Sequence, residues 1–194
     1  MKIVNTRTTE YDIDDIFLQR SSPRAMSGEN ISKEELMTLF EAARWAPSSR
    51  NIQPWRFVYA FRDTPAFEKL FSFLGEFNQI WCKNASVVIV TISKNTQDDG
   101  TPSPTHSFDT GSAWENFALQ GAKMGLVVHG MAGFDYEKAK NELNIPDDYS
   151  VEMMIVVGKL GNIEDLPEKL QEREKPSDRK NIDKFAFEGN FIIN

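Results

Sequence analysis

Cysteine, histidine and positive charge are all scarce in this chain. The single cysteine, Cys82, excludes an intrachain disulfide, and one cysteine with two histidines argues against a structural zinc site. The 22 lysines and arginines are outnumbered by 29 acidic residues, which gives a formal charge of -7. Because a polyanion is bound through clustered Lys and Arg, nucleic acid is a poor candidate partner. The reducing cytoplasm is the expected compartment.

Long apolar runs and nucleotide-binding fingerprints are also missing. The longest apolar runs, such as Val87 to Val90, are far shorter than a membrane span, and the segment Met1 to Asp14 turns acidic before any signal-peptide core begins. We therefore expect neither membrane insertion nor secretion. The chain has no Gly-x-Gly-x-x-Gly dinucleotide motif and no Walker-type phosphate loop.

The length and the local patterns predict one α+β domain over residues 1–194. With 40% hydrophobic residues, a chain of 194 residues can bury one substantial core. Ser32 to Glu35 form a capping box, which predicts a helix that ends near Pro47. The segments Arg56 to Phe61 and Ser86 to Ser93 have strand patterns, and a helix that begins at Thr64-Pro65 lies between them.

The second half of the chain continues this mixture of helices and strands. Ser107 to Met124 has helical apolar spacing and predicts a long core helix that stops at Gly125, after a loop over Asn95 to Ser107 that includes His106. Leu126 to Val128 and Met153 to Val157 predict short strands, and Asp135 caps a helix to about Leu143. Beyond Gly161 the chain is charged until apolar residues return near its end. A partner subunit could cover these apolar residues, which are Phe185, Phe187, Phe191 and Ile192.

The segment Arg20-Ser21-Ser22-Pro23-Arg24 is a candidate ligand-binding turn. Its two arginines stand four residues apart with hydroxyls between them, and Pro23 should break the preceding helix. A guanidinium offers planar, permanently charged donors that suit a phosphate or an electron-rich heterocycle edge. On this segment alone, a solvated turn is the favoured interpretation.

A second segment makes the interpretation of the first as a ligand-binding turn more specific. It is Ala46-Pro47-Ser48-Ser49-Arg50-Asn51-Ile52-Gln53-Pro54-Trp55. Such a Pro, Ser and Asn loop brings backbone and hydroxyl groups close to a flat ligand, although a helix stop followed by a loop is the structural alternative. Together, the two segments resemble the nitroreductase-like family of FMN-dependent flavoproteins. Its members carry an Arg-x-Ser-x-Arg segment, a helix and then an Ala-Pro-Ser-Ser-x-Asn-x-Gln-Pro-Trp block.

This resemblance implies a fold and an activity. The fold would be a central, mostly antiparallel sheet flanked by helices, with a C-terminal extension that reaches the partner subunit of a homodimer. FMN would lie at the dimer interface, and NADH or NADPH and a small flat acceptor, such as a nitroaromatic or a quinone, would use one pocket in turn by a ping-pong mechanism. Hydride chemistry would occur on flavin N5, so we nominate neither a catalytic acid-base dyad nor a metal.

The resemblance also implies roles for individual residues. The phosphate and ribityl end would contact Arg20, Ser22 and Arg179, with Ser21 in the same turn, and the pyrimidine edge would contact Arg24 and Asn78. The segment His129 to Asp135 is similar to the family's Gly-Phe-Asp turn, in which a backbone N–H faces flavin N5. This places Met131, Ala132 and Gly133 beside the ring. The partner subunit would supply Pro47, Ser48, Ser49 and Asn51.

Several points stay open within the resemblance. Trp81 stands where some relatives have a lysine, which would remove one positive charge near the reduced flavin. His129 is as consistent with packing as with a substrate contact, and we leave it out of catalysis. The loop Asn95 to His106 is short where many relatives insert a helical lid, which predicts an open, less selective pocket. Relatives that dehalogenate aromatic rings or consume flavin, and a non-catalytic FMN-binding protein, are the alternatives.

Overall fold

The centre of the protein is a four-stranded antiparallel sheet. In the computed structural model, which describes residues 7–192, the strand order is β1-β2-β4-β3. Every neighbouring pair is antiparallel. Residues 1–6 and 193–194 of the predicted domain lie outside the described part. The strands are β1 (Trp55–Phe61), β2 (Val87–Lys94), β3 (Leu126–Met131) and β4 (Tyr149–Lys159).

Seven α-helices are present in the described chain, and the longer ones cover the sheet. They are α1 (Ile16–Gln19), α2 (Lys33–Arg44), α3 (Pro65–Phe71), α4 (Glu76–Cys82), α5 (His106–Lys123), α6 (Tyr136–Glu142) and α7 (Glu168–Gln171). Single 3-10 turns occupy Ser49–Asn51, Ile163–Asp165 and Ile182–Lys184. This arrangement confirms the expected α+β class, with a central antiparallel sheet flanked by helices.

The core lies on both faces of the sheet because successive side chains of a strand point to opposite faces. Val87 and Ile89 of β2 pack in a cluster with α2 and α5, to which Leu39 and Phe117 belong. Val88 and Val90 pack on the other side, in a cluster that includes residues of α3, α4 and α6. The sheet is therefore the middle of three layers, and β2 is buried from Val87 to Ser93.

Most local predictions hold at the ends of the elements. The Ser32 hydroxyl accepts the Glu35 N–H while the Glu35 carboxylate accepts the Ser32 N–H, as a capping box requires. Thr64 and Asp135 cap α3 and α6 through the N–H groups of residues 67 and 138. Gly125, with φ of +71°, follows α5 in the left-handed conformation that commonly ends a helix.

Other predictions need correction. His106 is the first residue of α5 and not a loop residue, because the helix begins one residue earlier than its apolar pattern. The third and fourth strands are longer than predicted, since pairing extends β3 to Met131 and β4 from Tyr149 to Lys159. Helix α4 was not predicted. Among residues 7–192, no helix is both long and apolar enough to cross a membrane, and no cluster of His, Cys, Asp and Glu could hold a metal ion.

Candidate functional site

A cavity of about 380 Å³ lies where the turn after α1 meets the segment after α7. Its lining includes five of the predicted site residues: Arg20, Ser21, Ser22, Arg24 and Arg179. The same cavity is lined by three basic side chains and one acidic side chain that the sequence analysis did not single out: Arg7, Arg173, Lys175 and Glu174. Six basic residues therefore surround one carboxylate, and such a concentration of positive charge suits an anionic ligand.

Arg7 joins the two walls of this cavity. Its Nη1 donates to the carbonyls of Leu18 at 2.8 Å and Arg20 at 2.7 Å, and its Nε donates to the carbonyl of Ser177 at 3.1 Å. Burial is the main cause that lowers the pKa of Arg7, and the nearby charges of Arg179 and Arg20 lower it further. No motif in the sequence distinguishes Arg7 from an ordinary surface arginine.

Glu174 is the one acidic side chain in the cavity wall, and its carboxyl group is almost completely buried, with 2% of the side chain exposed. Its Oε2 accepts the backbone N–H groups of Arg24 at 2.8 Å and Ala25 at 3.3 Å. Its Oε1 accepts Arg24 Nη1 at 3.3 Å. Glu174 thus fixes both the backbone and the side chain of Arg24. In the sequence it is one acid within a charged run, so residue type alone could not identify it.

The guanidinium of Arg24 is held between this carboxylate and an aromatic ring, and one of its donors is unused. Arg24 Cζ lies 5.9 Å from the centre of the Trp81 ring. Arg24 Nε is buried and has no hydrogen-bond partner among the described residues. A buried donor without a partner costs about 1–3 kcal/mol, which a ligand acceptor would offset. The unused donor and the surrounding cations fit a ligand that carries a phosphate and an electron-rich edge.

Trp81 connects Arg24 to the predicted flavin-facing turn. Its Nε1 donates to Asn78 Oδ1 at 3.2 Å, and Asn78 Nδ2 donates to the Gly133 carbonyl at 2.9 Å. A Cβ on Gly133 would lie 2.8 Å from Asn78 Nδ2, so an added side chain would displace the Asn78 amide. Asn78 and Gly133, which are 55 positions apart, are thereby brought together, but neither residue lines the cavity, and Met131 and Ala132 do not line it either.

His129 lines the cavity and is held there by one hydrogen bond and one ring contact. Its Nδ1 lies 3.0 Å from the carbonyl of Pro23, and since a carbonyl only accepts hydrogen bonds, Nδ1 carries the proton. Its ring centre lies 4.5 Å from that of Trp81. Burial is the main cause that lowers the pKa of His129, with a smaller effect of the Arg24 charge. The contacts of His129 explain its position by packing and one hydrogen bond.

Met131 and Ala132 differ in what they offer to a ligand. The Met131 side chain is buried, and its Sδ lies 3.5 Å from Cys82 Sγ, so only the backbone of Met131 could meet a ligand. Ala132 and Gly133 are exposed. Burial raises the pKa of the Cys82 thiol, which keeps it protonated as a small core residue.

The predicted residues Pro47, Ser48, Ser49 and Asn51 do not line this cavity. They lie in an exposed turn that is anchored to α5, where the buried Asp109 carboxylate accepts the Ser49 N–H at 3.1 Å. Arg50, Asn51 and Gln53 have φ of 52°, 57° and 53°, a left-handed backbone that is uncommon outside glycine. Within one chain the two predicted halves of the site therefore stay apart, and the assignment of this turn to a partner's cofactor stays a prediction.

Comparison with known proteins identifies one family. Residues 17–80 and 64–159 match the Nitroreductase family model. Protein DrgA of Synechocystis is 28% identical over 186 residues, which cover 80% of this chain and 86% of DrgA. "Putative NAD(P)H nitroreductase MhqN" of Bacillus subtilis is 27% identical over 204 residues, which cover 87% of this chain and 94% of MhqN.

A solved structure described as an oxidoreductase containing FMN has the same fold over nearly the whole chain. It is 44% identical in sequence, covers 99% of both chains and superposes with a TM-score of 0.93. The family match spans well over half of the chain, from residue 17 to residue 159. With the antiparallel sheet and the Arg20–Arg24 turn both in place, the protein belongs to the nitroreductase family.

Proposed function

We propose that this protein is an oxidoreductase that binds FMN in the cavity between Arg20–Arg24 and Arg173–Arg179. It would pass electrons from NADH or NADPH to a nitroaromatic, a quinone or a similar small acceptor. The observation that carries the proposal is the convergence of Arg20, Arg24 and Arg179 on one cavity, with Arg24 Nε buried and unpaired. The FMN content of the 44% identical structure and the name of MhqN support the proposal.

The residues of the cavity divide the binding of FMN between two ends of the ligand. Arg20, Ser21, Ser22 and Arg179 would hold the phosphate and the ribityl chain, since charge-assisted hydrogen bonds to phosphate are stronger than neutral ones. Arg24 and Asn78 would bind the pyrimidine edge of the ring. The backbone of Met131, Ala132 and Gly133 would approach the ring near N5, and the bond from Asn78 to the Gly133 carbonyl fixes the relation between these two contacts.

The protein's part in the chemistry is to position the ring and to stabilise charge. Bound FMN would supply the hydride and electron transfer itself. The guanidinium of Arg24 would stabilise the negative charge that reduction adds to the pyrimidine edge, because a preorganised charge in a sheltered site acts strongly on developing charge. An acid-base dyad is not required. Donor and acceptor would use the same site in turn, which is the ping-pong mechanism.

A homodimer would complete the site with Pro47, Ser48, Ser49 and Asn51 of the partner subunit. In the single chain these residues lie in an exposed turn, and large aromatic side chains are unusually open to solvent: Trp45 (73%), Phe108 (79%), Phe185 (63%) and Phe191 (83%). Exposed apolar area of this kind marks interaction surfaces, and twofold dimers are the commonest solution. Sedimentation velocity should give the mass of two chains; a one-chain mass with FMN retained would contradict the dimer.

The activity is tested by anaerobic reduction of the FMN-loaded protein. NADH or NADPH should bleach the oxidised-flavin absorbance, and a quinone or nitroaromatic should then restore it, with free FMN at the same concentration as the control. Parallel double-reciprocal plots are expected for a ping-pong mechanism. Retained FMN that neither nicotinamide reduces faster than the control would instead indicate a non-catalytic flavin-binding protein.

A further inference from the structure

Glu174 places a carboxylate inside a cavity whose lining otherwise includes six lysine and arginine residues and no other acid. A binding site for an anionic ligand gains nothing directly from a carboxylate, so its presence requires a different reason. The carboxylate is buried with Arg24, whose backbone and side chain both donate to it. Glu172, two residues earlier, is exposed, which shows that this segment also accommodates acids in solvent.

The contact between the Arg24 and Glu174 side chains is long, so Arg24 keeps donors for a ligand. Arg24 Nη1 lies 3.3 Å from Glu174 Oε1, beyond the usual length of a charged N–H to O bond. The shorter contact, at 2.8 Å, is to the backbone N–H of Arg24. A guanidinium has five N–H donors, and the buried Nε is unpaired. Glu174 therefore fixes Arg24 in place and reduces its effective charge without occupying all of its donors.

We propose that Glu174 is a positioning residue that acts through Arg24 to lower the midpoint potential of bound FMN. This inference rests on the proposed function, in which Arg24 stabilises the charge gained on reduction. Opposite charges attract and like charges repel with an energy that rises as the surroundings become less polar. The Glu174 carboxylate thus opposes the stabilisation that Arg24 provides. The reduced protein would then give up electrons to an acceptor more readily than Arg24 alone would allow.

The direct test is the midpoint potential of FMN bound to Glu174→Gln, with Glu172→Gln as the matched control. Glutamine keeps an oxygen acceptor for the backbone N–H groups but removes the charge. We expect reduced FMN to gain about tenfold in affinity relative to oxidised FMN, which corresponds to an upward shift of about 30 mV for a two-electron couple. The control should keep the wild-type potential.

A merely structural role predicts a different result. If Glu174 only held the backbone, Glu174→Gln would weaken both redox forms of FMN equally and leave the potential unchanged, which would overturn the inference. Glu174→Asp supplies a second variant in case Glu174→Gln does not fold. It retracts the carboxylate by one methylene, so a smaller upward shift is expected, and an unchanged or lower potential would overturn the inference on its own.

The same experiment separates this inference from the proposed function. A wild-type protein that binds FMN, combined with variants whose potential does not rise, refutes only the role of Glu174. A wild-type protein that binds no FMN refutes both. An upward shift in the order wild type, Glu174→Asp, Glu174→Gln supports both.

Discussion

The substitution Arg24→Met would separate the Arg24–Glu174 pair while it keeps an apolar side chain beside Trp81. The Glu174 carboxylate would retain the backbone N–H groups of residues 24 and 25 but lose its only cationic partner in the described contacts. Breaking a buried pair by removal of one member commonly costs about 3–5 kcal/mol. Because two donors remain and the lost contact is 3.3 Å long, we expect a smaller loss in the free energy of unfolding, about 2–3 kcal/mol.

A double-mutant cycle gives the sharpest measurement of this loss. Urea unfolding of wild type, Arg24→Met, Glu174→Gln and the double variant would be compared without FMN at one protein concentration, since dimer stability depends on concentration. The double variant should be less destabilised than the sum of the single variants by about 1–2 kcal/mol, because no unpaired charge remains buried.

Arg44→Met is the matched control for this cycle. Arg44 pairs with Glu41 at 2.5 Å, yet both side chains are more than half exposed, so solvent screens the pair and the substitution should have a much smaller effect. Additive effects of Arg24→Met and Glu174→Gln, or a loss in Arg24→Met no larger than in Arg44→Met, would refute this reasoning.

Three further predictions concern the surroundings of the cavity. Burial lowers the pKa of His129 below its ordinary value of 6.5, so as the pH falls below about 6.5 the unfolded chain binds a proton that the folded chain does not. The free energy of unfolding should therefore decrease as the pH falls through this range, and it should decrease more in wild type than in His129→Gln. Equal pH slopes of the two proteins in urea titrations would contradict this. Asp109→Ala removes the acceptor of the Ser49 N–H and the Thr105 hydroxyl, with an expected loss of about 1–3 kcal/mol by thermal unfolding, while Glu115→Gln on the same helix should change little. Gly133→Ala should displace Asn78 and weaken FMN binding in a fluorescence titration, while the free energy of unfolding should change by less than about 1 kcal/mol. Gly111→Ala, which has open space around its Cβ, should leave FMN binding unaltered.

The elements that are coded locally could be predicted from the sequence. The capping box at Ser32, the cap at Thr64 and the β-branched run of β2 each contain the signal within a few residues, and each is present in the structure. The helix α4 was missed because its seven residues are too few for a clear apolar period, and its position depends on packing of Trp81 and Cys82 in the core.

The candidate site could be predicted only as far as its motif residues. The turn Arg20–Arg24 and the distant Arg179 line one cavity, and their contact with FMN stays a prediction. Glu174 and Arg7 could not be predicted, because their importance comes from burial and from contacts across 150 and up to 170 positions of the chain. The turn around Ser48 could be recognised, but a single chain does not bring it to the cavity.

FMN titration of the purified protein, followed by fluorescence, tests the central claim most directly. Wild type should bind one FMN per chain. Arg20→Gln should bind FMN at least about tenfold more weakly, because a charge-assisted hydrogen bond is lost. The control Lys33→Gln, at the exposed start of α2, should bind FMN as wild type does. No binding by the wild-type protein, or equal binding by wild type and Arg20→Gln, would contradict the account.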